Sequence, residues 1–115
     1  MGAGISAATA GLVEGNTVIL GRDAGIVVRN GAVVSLNSIL GNGGTGIDSA
    51  SNSSGGSLVV DNSVSGNGSG STLHAGDAYA RKVLAANATD LPTDQVSGGV
   101  QLGTGSNLCA GALCP

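Results

Sequence analysis

The sequence predicts an all-β chain wound as a parallel solenoid of about four to five coils, with about 21 residues in each coil. Three observations predict it. Gly-Ile pairs recur at Gly4-Ile5, Gly25-Ile26 and Gly46-Ile47, each 21 residues after the last. A second pattern, Val-x-x-Asn-x-(Val/Ile), follows each pair, as Val13 to Val18, Val34 to Ile39 and Val59 to Val64. Within each copy apolar residues alternate or pair over a few positions before Gly or Asn intervenes, which is the pattern of short strands and not of helices.

Stacking such coils brings equivalent residues into columns, about 4.8 Å apart along the axis. Ile5/Ile26/Ile47, Val13/Val34/Val59 and Val18/Ile39/Val64 are then inward stacks. Asn16/Asn37/Asn62 is a ladder at a turn, where side-chain amides bond to one another and to backbone, and where Asn tolerates a left-handed corner. In the third coil Val59 lies 12 residues after Ile47, where the first two coils have 8, so four extra residues bulge within Ser49–Ser57. A looser fourth copy, Tyr79-Ala-Arg-Lys82-Val-Leu84, puts Lys82 in the Asn position and Tyr79 in an inward column. Asn42, Asn67 and Asn87 each follow the last apolar residue of their copy by three.

Composition sets the remaining bounds. The 115 residues make one domain, 1–115, with repeat coils over 1–89 and an irregular cap over 90–115. Only 10% of residues are charged, the net charge is −3, and no Lys/Arg cluster exists, which excludes a nucleic-acid partner. No apolar run approaches the roughly 20 residues that span a bilayer as a helix, so no membrane partner is expected. The start, Met1 to Gly11, lacks a basic region and a continuous apolar region and reads as folded sequence, implying a cut-down or a naturally short chain. Its end of the solenoid carries no polar cap, so it is expected to contact another copy or coils that precede it. Cys109 and Cys114, separated by four residues with a Gly, read as a small disulfide ring, with free thiols as the alternative. Zinc is disfavoured because there is no second Cys pair and His74 is distant.

These motifs, from Gly25-Ile26 through Val34, Asn37, Ile39 and Gly41-Asn42, together with the closing segment from Tyr79 to Pro115, resemble the C-terminal part of a bacterial right-handed parallel β-helix protein of the pectate-lyase-like superfamily. The resemblance implies a right-handed coil and a secreted or cell-surface location. It does not by itself imply an activity, because this fold carries lyases, hydrolases, adhesins and stalks. Enzymes of the superfamily use clustered carboxylates on adjacent coils, or an Arg or Lys beside a uronate. Here Glu14 shares a column with Ser35 and Val60, Asp48 with Ser6 and Val27, and Asp61 with Gly15 and Leu36, so no column stacks two carboxylates. His74 lacks flanking glycines, and Arg22 and Arg29 read as surface ion pairs near Asp23. The chain is therefore read as non-enzymatic, with no catalytic residue, cofactor or metal.

Outward positions give the remaining expectation. Ile19, Val27, Leu36 and Leu40 are assigned to an apolar stripe that would serve as a homo-oligomer interface, in a dimer or trimer. The expected function is a structural or interaction module that self-associates or caps a longer β-helix. The alternative is a carbohydrate-binding or degenerate polysaccharide-lyase-like domain with weak glycan affinity, for which Tyr79 is the single aromatic. Asn52-Ser-Ser54, Asn67-Gly-Ser69 and Asn87-Ala-Thr89 match the glycosylation acceptor pattern.

Overall fold

A computed structural model of the chain describes residues 2–7, 10–49, 55–88, 95–103 and 107–114. Each coil is a triangle of short strands. Coil 1 contains β1 (Ile5–Ala7), β2 (Leu12–Glu14) and β3 (Thr17–Ile19). Coil 2 repeats it with β4 (Ile26–Val28), β5 (Val33–Ser35) and β6 (Ser38–Leu40), and coil 3 with β7 (Thr45–Asp48), β8 (Leu58–Val60) and β9 (Ser63–Ser65). Coil 4 has β10 (Ser69–Thr72), β11 (Ala78–Ala80) and β12 (Val83–Ala85). A shorter fifth turn contributes β13 (Val96–Ser97), β14 (Val100–Gln101) and β15 (Leu108–Cys109), and β16 (Ala112–Leu113) folds back on β15. No helix occurs among the described residues.

The strands stack into three parallel sheets, which makes the fold an all-β parallel solenoid of about four turns. The first sheet runs β1-β4-β7-β10-β13, the second β2-β5-β8-β11-β14, and the third β3-β6-β9-β12-β15-β16, with only the last pair antiparallel. The register matches the expected columns: Ile5 pairs with Ile26 and Ile26 with Ile47, Val13 with Val34 and Val34 with Val59, and Val18 with Ile39 and Ile39 with Val64. Tyr79 continues the second column and Leu84 the third. The longer third coil keeps this register, with Asn37 and Asn62 separated by 25 residues where Asn16 and Asn37 are separated by 21. Within the predicted bulge, 50–54 lie outside the described residues.

Side-chain alternation explains why three residues suffice per strand. The middle residue of β2, β3, β6, β8, β9 and β12 is buried and its neighbours are more exposed. Ile26, Val28, Val34, Ile39, Ile47, Val59, Val64 and Leu84 are fully buried. Each such side chain contributes about 1.5–3 kcal/mol relative to exposure. The Gly of the Gly-Ile pair has its own cause. A Cβ on Gly25 would lie 2.8 Å from the carbonyl oxygen of Gly46 in the next coil, and one on Gly46 would lie 2.8 Å from that of Gly70. The corner leaves no room for a side chain there.

Candidate functional site

The chemistry-bearing side chains of this solenoid gather at its corners. At the corner between the second and third sheets, Asn37 Oδ1 accepts the backbone N–H of Asn16 at 2.9 Å and its Nδ2–H at 3.1 Å. Asn62 Oδ1 accepts the same two donors from Asn37 at 3.0 Å each. Asn37 and Asn62 are buried, and their Nδ2 groups also donate to Val13 O and Val34 O. The other corner of the third sheet carries a parallel ladder: Asn42 donates to Asn67, Asn67 to Asn87 and Asn87 to Gln95. Gly21 opens it with a backbone N–H to Asn42 Oδ1 at 2.9 Å. Here the sequence showed only the spacing of Asn42, Asn67 and Asn87; the geometry makes them a second ladder, which Gln95 closes. These bonds satisfy corner groups that no strand pairs.

Two expectations change at these corners. The left-handed residue is the one before each Asn. Gly15, Leu36, Asp61 and Arg81 have φ between 47° and 66°, as do Leu20 and Ala86 at the second corner, with Gly41 at 68° and Gly66 at 65°. The Asn is free of that constraint because its amide must aim along the axis at the next coil. The glycosylation matches at Asn67 and Asn87 are also corrected, since both amides are buried and spent in the ladder. Asn52 lies outside the described residues.

Of the predicted interface residues, Ile19 and Leu40 project from the outer face of the third sheet and are paired neighbours, 53% and 49% exposed. Leu36 is exposed at the corner itself and not within a strand. Val27 does not join them. It lies on the first sheet, paired with Ser6 and Asp48, and is half-buried. Leu20, at 78% exposed, stands beside Ile19, and Leu12 is exposed on the second sheet. The large exposed apolar side chains thus come from coils 1 and 2, from coil 4 and from the closing turn, and none comes from the described residues of coil 3.

The carboxylates stay apart. Glu14 accepts from Ser35 Oγ at 3.3 Å. Asp61 makes a two-bonded ion pair with Arg81, at 2.7 and 2.8 Å, and the guanidinium holds its carboxyl below the usual range. Arg22 and Arg29, expected in surface pairs near Asp23, form none among the described residues. Asp77 is buried and accepts from Ser49 Oγ, from Ser57 N–H at 2.8 Å and from His74 N–H at 3.1 Å. His74 Nδ1 accepts from Gly76 N–H at 3.0 Å, so this Ser-Asp-His group is a turn clamp, with Asp77 bonded to the backbone of His74 and not to its ring. No pocket and no group of three metal-ligating side chains forms among the described residues. Cys109 and Cys114 are joined by a disulfide that closes the β15–β16 hairpin, a bond suited to an oxidising compartment.

Sequence reasoning missed one group. Lys82, placed by its spacing in the Asn column, is fully buried and turns its Nζ into the core. Burial pushes its amine down to about 7.

Comparison with protein-family models, curated proteins and solved structures gives no significant match. The assignment of this chain therefore rests on the solenoid itself.

Proposed function

We propose that the chain is a non-catalytic structural module of a secreted or cell-surface β-helix, of the pectate-lyase-like kind that its repeat resembles, and that it assembles through its N-terminal end. The inequality of the two ends supports this reading. At the C-terminal end the strands shrink to two residues, β16 reverses direction against β15, and the disulfide pins the turn. Short strands and a reversed hairpin are means by which sheets blunt an edge. At the N-terminal end β1, β2 and β3 are edge strands of all three sheets, each with three residues.

The ladder supports the same direction. Asn16 and Asn37 each donate to the amide oxygen of the following coil, and Asn16 Oδ1 accepts no hydrogen bond among the described residues. Val13 and Val18 form the last buried layer, with Ile5 and Ala7 half-buried against it. Leu12, Ile19 and Leu20 surround this end with exposed apolar surface. The partner is a second copy, in a dimer or trimer. Glycan binding finds little support, since Tyr79 is buried in the core at 5% exposure.

Light scattering over a concentration series tests the proposal. The chain is expected to exceed 10.8 kDa as concentration rises, and Ile5→Lys, which charges the half-buried end, is expected to hold it at the monomer mass. A chain that remains monomeric throughout, or an Ile5→Lys variant that associates equally well, contradicts it.

A further inference from the structure

Coil 4 departs from the other coils at two positions, and the two departures meet. In the first inward column, Ile5, Ile26 and Ile47 give way to Ser71 before Val96 restores an apolar residue. In the Asn column, Asn16, Asn37 and Asn62 give way to Lys82 before Asn107 restores the amide. Lys82 Nζ donates to Ser71 Oγ at 2.6 Å across the coil, and both residues are buried. The lysine stem occupies core volume that an Ile would otherwise fill. This exchange breaks the ladder: Lys82 N–H still donates to Asn107 Oδ1, but Lys82 offers Asn62 no amide oxygen.

We propose that the Lys82–Ser71 pair is a proton-operated lock, closed with a neutral amine and opened when the amine is protonated, which releases the closing turn from coil 4. Among the described residues no carboxylate pairs with this amine. From β11, among the described residues, the one titratable side chain facing the amine is Tyr79, whose ring centroid lies 5.4 Å from Nζ and whose phenol burial pushes upward. From β10 comes Ser71, and the strands that flank β12 place the apolar Val64 and the disulfide-bonded Cys109 beside Leu84. Asp77 is bound by Ser49, Ser57 and His74, and Asp61 is paired with Arg81 on the outside. A cation in such a place is costly when it has no counter-ion. The ring face of Tyr79 offsets a small part of that. β12 and β15 are paired strands, so disturbance of Lys82 acts directly on Leu108 and Cys109.

The sign follows from the direction of the shift. The folded amine titrates near 7 and the unfolded one near 10.5. Between those values the open state binds more protons, so closure strengthens as pH rises from about 7 to about 10 and is constant below 7 as far as this group is concerned. The ideal limit is about tenfold per pH unit in the opening constant.

Amide exchange, expressed as protection factors at pH 6, 7, 8 and 9, reads this directly. The expected result is that protection of Leu108 and Ala110 rises steeply above pH 7 while that of Val18 and Ile39 does not. Lys82→Met keeps the stem volume and is expected to remove the pH dependence. The double variant Ser71→Ile/Lys82→Asn, which returns coil 4 to the pattern of its neighbours, is expected to do the same and covers the case in which Lys82→Met fails to fold. A flat profile in the unaltered chain overturns the proposal, as does a slope that persists in either variant or one shared equally by Val18 and Ile39.

Discussion

Asn37 Oδ1 accepts two hydrogen bonds from Asn16, one from its backbone and one from its side chain, at 2.9 and 3.1 Å. This unit, repeated from coil to coil, explains how strands of three residues hold a register over separations of 20 to 28 residues. A three-residue strand offers few ladder bonds of its own. The corner amides supply the rest and make each coil dependent on the next.

The dependence is graded along the axis. Asn37→Ala removes donors to Val13 O and Asn62 Oδ1 together with the acceptor for Asn16. Its cost is expected at about 2–4 kcal/mol, because the partners left behind are buried. Asn16→Ala removes two side-chain donations at a half-exposed end and leaves the backbone bond to Asn37, for about 0.5–1 kcal/mol. Urea unfolding of both variants checks the ratio, with the midpoint and not the slope carrying the difference.

Leu20 adopts φ 57° while 78% exposed, at a corner where the next two coils use Gly41 and Gly66. A non-glycine residue in that region is strained. Leu20→Gly is expected to stabilise the monomer by about 0.5–1 kcal/mol, part of the relief being offset by glycine's unfolded-state entropy. If Leu20 also contributes to assembly, the same variant weakens self-association. Thermal melting at low and high concentration separates the two effects.

Reduction of Cys109–Cys114 is expected to loosen the closing hairpin and leave the first three coils intact. A ring with a sequence separation of 5 restrains its own turn, with an effect on the order of 2 kcal/mol. Amide exchange with and without a reductant checks this: Leu108 and Ala110 lose protection while Ile39 and Val64 keep theirs.

Much of this architecture was legible in the sequence because the interior of a solenoid repeats residue by residue. Ile5, Val13, Val18 and their successors are visible as columns before any coordinate is known, as are Asn16, Asn37 and Asn62. The corners were less legible. Leu36 and Arg81 take left-handed backbone with none of the residues that usually signal it, because the ladder bonds on either side impose the conformation. Lys82 carried only a positional signal. Its inward turn depends on Ser71, 11 residues earlier on another sheet, and only the fold makes those two substitutions a single event. Val27 lies on the first sheet and Ile19 and Leu40 on the third, because alternation fixes which way a side chain points but not which sheet its strand joins.

The proposed self-association pairs the edge strands β1, β2 and β3 and leaves the outer face at Leu40 uncovered. Residue-resolved amide exchange at low and high protein concentration tests it most directly, because face-to-face contact covers side chains while edge pairing covers backbone. The amides of β1, β2 and β3 without partners in coil 2 are expected to gain protection at high concentration. Edge amides that exchange equally fast at every concentration would contradict it.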